Sequence, residues 1–248
     1  MENDWWRQRT ERVQQCRNTA RYKEEVIYFR QLLSDYENEI RNYIGKESML
    51  AKEVEKQETY MKYGINSRYL HRGALCPSPI LHIVTGGTKR GRVIDSYKKK
   101  ADYQYIYNLR HQLVQVVKLS ECTNHEYIQY FDTYDLGVTF DPDGVILEVC
   151  RCITNELLQS YEFGLYSQSM NKVTELRKEI YQYENNHIRE AEVYFYMRGA
   201  SLSHEHYVFN PGPDGYAESY RAYELIGDEI MNKDYCDRLY KVSFKDRL

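Results

Sequence analysis

No apolar run in the 248 residues approaches the roughly 20 that a membrane-spanning helix needs, so no transmembrane segment is expected. Basic charge is not in excess either. The formal net charge of −3 leaves nothing to build a nucleic-acid footprint or a polybasic membrane patch, and tilts weakly toward a basic partner. The six cysteines are thinly spread, and a chain long enough to bury a real core does not need disulfide staples. They are expected to be reduced, mostly buried thiols. The opening Met1-Glu2-Asn3-Asp4-Trp5-Trp6-Arg7 is polar and acidic, unlike a secretory signal, which points to a cytoplasmic protein. Tryptophan and phenylalanine are scarce, at two and seven, and tyrosine takes their place with 26 residues. Tyrosine suits half-buried strands, where its ring packs and its hydroxyl stays wet, and it gives binding surfaces rigid amphipathic area.

Catalytic signatures are also missing. There is no Gly-x-Ser-x-Gly elbow, no His-Glu-x-x-His helix and no nucleotide fingerprint. Gly86-Gly87-Thr88-Lys89-Arg90-Gly91 fails as a phosphate loop because Lys89 precedes the last glycine, and Val93-Ile94 reads as another strand. A glycine-rich turn is expected there, after a short strand over Ile80 to Thr85.

What the chain does have is a helical first quarter. From Asp4 to Tyr63, Val26, Phe29, Leu33, Tyr36, Ile40 and Tyr43 draw a seam at spacings of three and four. Gly45 reads as a stop between two helices, yet the seam runs on in phase through Leu50, Val54 and Met61. A helical hairpin and one long helix both fit. The seam packs on the chain's own sheet or, alternatively, mediates a homodimer.

The rest, after a Gly- and Pro-broken connector from Tyr63 to Pro79, is strand-like and repetitive. Phe140-Asp141-Pro142-Asp143-Gly144-Val145-Ile146 predicts a hairpin, with apolar residues alternating on both sides of a turn whose glycine accepts φ > 0. Tyr107-Asn108 followed by Leu113 repeats this register with His111 at the glycine position, and Tyr183-Glu184 followed by Ile188 repeats it one residue shorter. Polar turns at Thr123-Asn124-His125, Thr154-Asn155-Glu156 and Arg198-Gly199 link each unit to a further strand. Val173 to Glu179 fits either a short helix or a lengthened strand. Pro211 to Gly215 reads as another turn, and the tail as a helix from Asp228 and a last strand at Leu239 to Phe244.

The fold class expected is α+β: a helical segment over 1–64 and a large antiparallel β-meander over 65–248. The anchors resemble the tyrosine-aspartate (YD) repeats of bacterial Rhs-type proteins, most fully at Phe140-Asp141-x-x-Gly144-x-Ile146. Similar strand sheets occur in immunity proteins encoded beside polymorphic toxins. The resemblance implies a protein that binds a cognate toxin, and it carries no site residues.

His204-x-His206 shares a strand face and invites a metal site with His125 or His187, but nothing fixes a third ligand, so no metal or cofactor is expected. Cys150-x-Cys152 shares a face too and reads as packing. Asp141 and Asp143 belong to the turn. Tyr130, Asp132, Tyr134 and Asp135 have no evident packing role, and an aromatic-acidic stretch suits a basic protein partner. Binding is expected rather than catalysis, with a metal-dependent enzyme as the remoter alternative.

Overall fold

The computed structural model describes residues 2–66, 70–84, 90–119, 123–212, 217–231 and 240–241. Three helices come first: α1 (Glu2–Arg17), α2 (Ala20–Arg41) and α3 (Glu47–Glu55). Neither a hairpin nor a single helix describes them. The chain breaks at Asn18-Thr19, where Thr19 Oγ1 accepts the backbone N–H of Tyr22 at 3.3 Å and caps α2. It breaks again at Gly45, which takes φ 73°. The third helix also stops short of Tyr63. Thr59–Ile65 forms β1, because Thr59, Tyr60, Tyr63 and Ile65 favour a pleated surface and the ladder of β3 (Ala101–Asn108) satisfies their backbone.

The α+β class holds. The remaining strands are β2 (Arg92–Ile94), β4 (Leu113–Lys118), β5 (Asn124–Tyr130), β6 (Tyr134–Phe140), β7 (Ile146–Asn155), β8 (Leu157–Ser167), β9 (Lys172–Glu184), β10 (His187–Met197), β11 (Leu202–Pro211), β12 (Ala217–Ile226), β13 (Glu229–Ile230) and β14 (Tyr240–Lys241). The open choice at Val173 to Glu179 resolves as strand, inside β9. The strand expected at Ile80 to Thr85 is instead a single helical turn, α4 (Leu81–Val84). Ser78 Oγ accepts Leu81 N–H at 3.0 Å and starts it. Asp228 opens no helix: Glu229–Ile230 pair with Leu225–Ile226 as a strand. Tyr240 and Lys241, within the expected last strand, pair with β12. Gly86-Gly87, Pro213 to Gly215 and most of the tail lie outside the described residues.

Two of the turns that the sequence aligns share a backbone conformation. At Gly144, φ is 76°, and Asp141 Oδ1 accepts the N–H groups of Asp143 and Val145 at 2.9 and 2.8 Å. At His111, φ is 62°, and Asn108 Oδ1 accepts Arg110 and Gln112 at 3.0 Å each. Both hairpins shift register one step before the turn, pairing Phe140 with Ile146 and Tyr107 with Leu113. In the third copy Asn185 and Asn186 both take positive φ, a two-residue turn that accounts for the missing residue.

By its contacts the chain divides into two compact units, Met1–Asp35 with Glu175–Leu248, and Tyr36–Thr174, with the boundaries inside α2 and β9. In the first, α1 and the start of α2 lie on a meander. Phe29 packs on Tyr194 and Tyr196 at ring separations of 5.2 and 6.2 Å, and Arg9 meets Glu224 at 3.2 Å. In the second, strands run in the order β2-β1-β3-β4-β5-β6-β7-β8, every pair antiparallel. Tyr36, Ile40 and Leu50 are buried on one face there. Tyrosines latch the helices down: Tyr36 donates to Glu162 at 2.6 Å, Tyr127 to Glu47 at 2.7 Å, and Arg151 donates to Glu39 at 2.5 Å.

The seam is therefore a core seam. Phe29, Leu33, Tyr36 and Ile40 are all buried, each worth about 2 kcal/mol in area removed from water. Among the described residues both faces of the second unit's sheet carry cover over tyrosines. Tyr127 is buried under α3 and Tyr161 on the opposite face, where residues 70–76 cover the sheet. That cover is pinned by Tyr103, which donates to Leu70 O at 2.8 Å, and by Tyr105, which donates to Arg72 O at 2.9 Å.

Candidate functional site

Strand alternation divides the four residues that the sequence nominates. Tyr134 faces α2: its ring lies 5.1 Å from the Arg151 guanidinium carbon and its hydroxyl 3.5 Å from Glu39. Asp135 points to the other face, opposite Cys152 in register, with Oδ1 buried and no hydrogen bond made by that atom. Burial raises its pKa, against the pull of Arg72 and a hydrogen bond with Cys152. Both residues thus have packing roles. Tyr130 and Asp132 remain at the surface, and the structure joins them to neighbours the sequence did not suggest.

Tyr130 and Phe131 line an open cleft of about 820 Å³ together with Leu109, Val114 and Ile128. The cleft takes one wall from the β3–β4 turn, one from the end of β5, and a rim from the end of α3 and the residues after it. Val114 and Ile128 form its buried floor, and three apolar groups are exposed: Leu109 by 63%, Phe131 by 46% and Tyr130 by 45%. They are also held in place. The Tyr130 hydroxyl donates to Leu113 O at 3.1 Å, and burial with the nearby Asp135 pushes its pKa up to about 12, so it stays a donor. Phe131 stacks on Tyr134 at 4.7 Å, and its N–H closes the turn to Tyr134 O at 2.9 Å. Leu109 sits in the turn that Asn108 fixes. Glu53 and Glu58 stand exposed on the rim, with Arg110 as the one cation among the described lining residues. Asp132 is exposed at the next position after Phe131.

A second cluster lies on the face that residues 70–76 cover. Glu126, on β5, accepts from Arg72 Nε at 2.9 and 3.0 Å and from Nη2 at 2.7 Å. His71 Nε2 lies 3.3 Å from Glu126 Oε2, and its Nδ1 is 3.1 Å from the Tyr161 hydroxyl. Cys150 and Cys152 project to the same face with sulfurs 3.9 Å apart. Gly137, between these strands, makes the room: a Cβ there would fall 1.9 Å from Glu126 Oε1. Arg72 is held at φ 55°, an uncommon backbone for a residue with a side chain. Burial pushes the Glu126 carboxyl up, but Arg72 and then His71 outweigh it and hold the value at about 2. Burial and Cys152 push the Cys150 thiol well up, so it is no nucleophile.

His204 and His206 share a face as expected, and share Glu192 as well, at 2.5 and 2.7 Å. His204 also stacks on Tyr194 at 4.0 Å. The pair serves a carboxylate in the sheet rather than a site with His125 or His187. The described cysteines, Cys16, Cys76, Cys150 and Cys152, are buried thiols outside any disulfide.

His71 and Arg72 gave no sequence signal, because they lie in a connector without periodicity. Beside Cys150-x-Cys152, an acid at 126, in phase with Ile128 and Tyr130 and paired across the ladder with a strand containing a glycine, was a trace of the cluster. No protein-family model, curated protein or solved structure matches the chain. Among the described residues, no helix is long and apolar enough to cross a membrane.

Proposed function

We propose that this chain is a cytoplasmic immunity protein, which neutralises a cognate bacterial toxin by contact, and that its cleft takes a basic segment of that toxin. One observation carries the reading: three exposed apolar side chains, Leu109 and the partnered rings of Tyr130 and Phe131, stand beside the exposed carboxylates Glu53, Glu58 and Asp132. Ordered rings lose little entropy on binding, and a carboxylate rim speeds encounter with a cationic partner and sets its orientation. Glu53 and Glu58 stand on the rim and Asp132 follows Phe131, all three solvated, an arrangement suited to recognition more than to proton transfer. The resemblance of the hairpins to YD repeats, now with matching turn geometry at Asp141 and Asn108, supports the toxin-system context. The test is protection: expression beside the product of the adjacent gene should rescue growth and yield a co-purifying complex. Failure to bind the product of any neighbouring gene would contradict the reading.

A further inference from the structure

The cleft of the second unit carries the groups that suit one kind of cation. Phe131 ends a run of ring contacts that begins in the core. The Arg151 guanidinium carbon lies 4.7 Å from the centre of the Tyr36 ring and 5.1 Å from that of Tyr134. Tyr134 in turn stacks on Phe131 at 4.7 Å, with their planes 18° apart. Arg151 is pinned by Glu39 at 2.5 Å, so ring, guanidinium and carboxylate already act together in the interior. The cleft offers the same ring and carboxylate groups to a partner: Phe131 and Tyr130 are exposed, Glu53 and Glu58 stand on the rim, and Asp132 follows Phe131. These three acids outnumber Arg110, the one cation among the described lining residues.

We infer that the cleft selects arginine over lysine in its partner, with the guanidinium laid on the Phe131 ring and the nearby carboxylates as its acceptors. This selectivity rests on the binding reading above, in which the cleft takes a basic segment. A guanidinium is planar and weakly hydrated, so it can lay one face on a ring while its N–H groups reach carboxylates in its own plane. An ammonium is a compact, strongly hydrated point charge and gains less from a half-exposed ring. The Tyr130 hydroxyl is committed to Leu113 O, so orienting the cation falls to Glu53, Glu58 and Asp132. Leu109, exposed in the β3–β4 turn that forms one wall, offers apolar cover for the aliphatic stem.

The probes are the peptide acetyl-Leu-Arg-Leu-amide and its lysine and citrulline counterparts, titrated into the full chain and followed by NMR shifts of the Leu109 methyl groups. Citrulline keeps the plane of the guanidinium and loses its charge. The arginine peptide is expected to bind at least about threefold more tightly than either counterpart. Phe131→Leu should abolish the preference over lysine, and Glu53→Gln with Glu58→Gln should weaken the arginine and lysine peptides alike. Equal affinities of the arginine and lysine peptides for wild type, or no saturable binding of the arginine peptide at millimolar concentration, would overturn the selectivity even if a variant failed to fold. So would a folded Phe131→Leu protein that kept the preference. A co-purifying toxin complex beside equal peptide affinities would overturn the arginine selectivity alone. An arginine preference with no such complex would overturn the toxin reading alone.

Discussion

At the scale of single residues, the fold depends on polar groups placed where water cannot reach them. The Arg72–Glu126 pair is the clearest case: both side chains are about 5% exposed, and the carboxylate is satisfied by three short contacts. Removing one partner of such a pair leaves an uncompensated charge, which costs about 3–5 kcal/mol. Gly137→Ala attacks the same pair through space alone, since the added methyl would overlap Glu126 and Arg72. We expect a loss of about 3 kcal/mol in urea denaturation, approaching that of Glu126→Gln. A loss under about 1 kcal/mol would mean that the pair moves aside freely. A second test concerns the shared carboxylate of the first unit. Hydrogen bonds from His204 and His206 overcome burial and hold Glu192 at about 2, while the hydrogen bond to Glu192 raises His206 above 6.5. A depressed carboxylate contributes stability above its unfolded value of 4.5, and a raised histidine contributes it below 6.5 and loses it as pH rises through the folded value. His206→Gln should therefore lower the urea midpoint more at about pH 5.5 than at about pH 8.5. Equal losses at both would show that the histidine's charge is not stabilising.

At the scale of elements, the hairpin turns were legible and the helix ends were not. A turn is a local object: Asp141 or Asn108 supplies its oxygen to two following N–H groups, and the fourth residue must take positive φ. The sequence contains all of that within five residues. Gly144→Val forces a β-branched side chain into the left-handed region, with no close contact to add to the strain, and should cost about 1–2 kcal/mol. At the matching position His111→Gly relieves the same strain but loses the hydrogen bond between Tyr60 and His111 at 2.8 Å, so a change within about 0.5 kcal/mol is expected. Equal losses from both substitutions would break the equivalence of the two turns. By contrast, the in-phase seam concealed the break at Thr19 and the switch to strand at Thr59. The first is set by the local hydroxyl cap at Thr19, and the second by a partner distant in sequence, β3 for β1. The helical turn at Leu81 was hidden for a local reason, a serine cap where only the apolar run was counted.

At the scale of the whole molecule, tyrosine abundance reads differently once the faces are known. Tyr36, Tyr103, Tyr105, Tyr127 and Tyr161 are buried, and their hydroxyls bind helix or sheet acids, the backbone of the covering loop, or His71. Composition could not separate such internal latches from a binding surface, since both need an aromatic body with a polar tip. The site itself was half legible. Tyr130 and Asp132 stand out in the sequence and are exposed, whereas Tyr134 and Asp135 are divided between opposite faces by the period of two, and Leu109, Glu53 and Glu58 come from elements distant in the chain. Reversing Asp135 would therefore damage the core and report nothing about binding. The direct test of the binding account is the affinity of the adjacent gene's product for wild type, for Glu58→Lys with Asp132→Lys, and for Tyr130→Ala, each at low and high salt with circular dichroism as the fold control. The account predicts that the charge reversal weakens binding by about tenfold at low salt and flattens its salt dependence, and that Tyr130→Ala weakens it at both salts. Unchanged affinity in the folded charge-reversal and Tyr130→Ala proteins, with wild type bound tightly, would place the interface elsewhere and contradict the account.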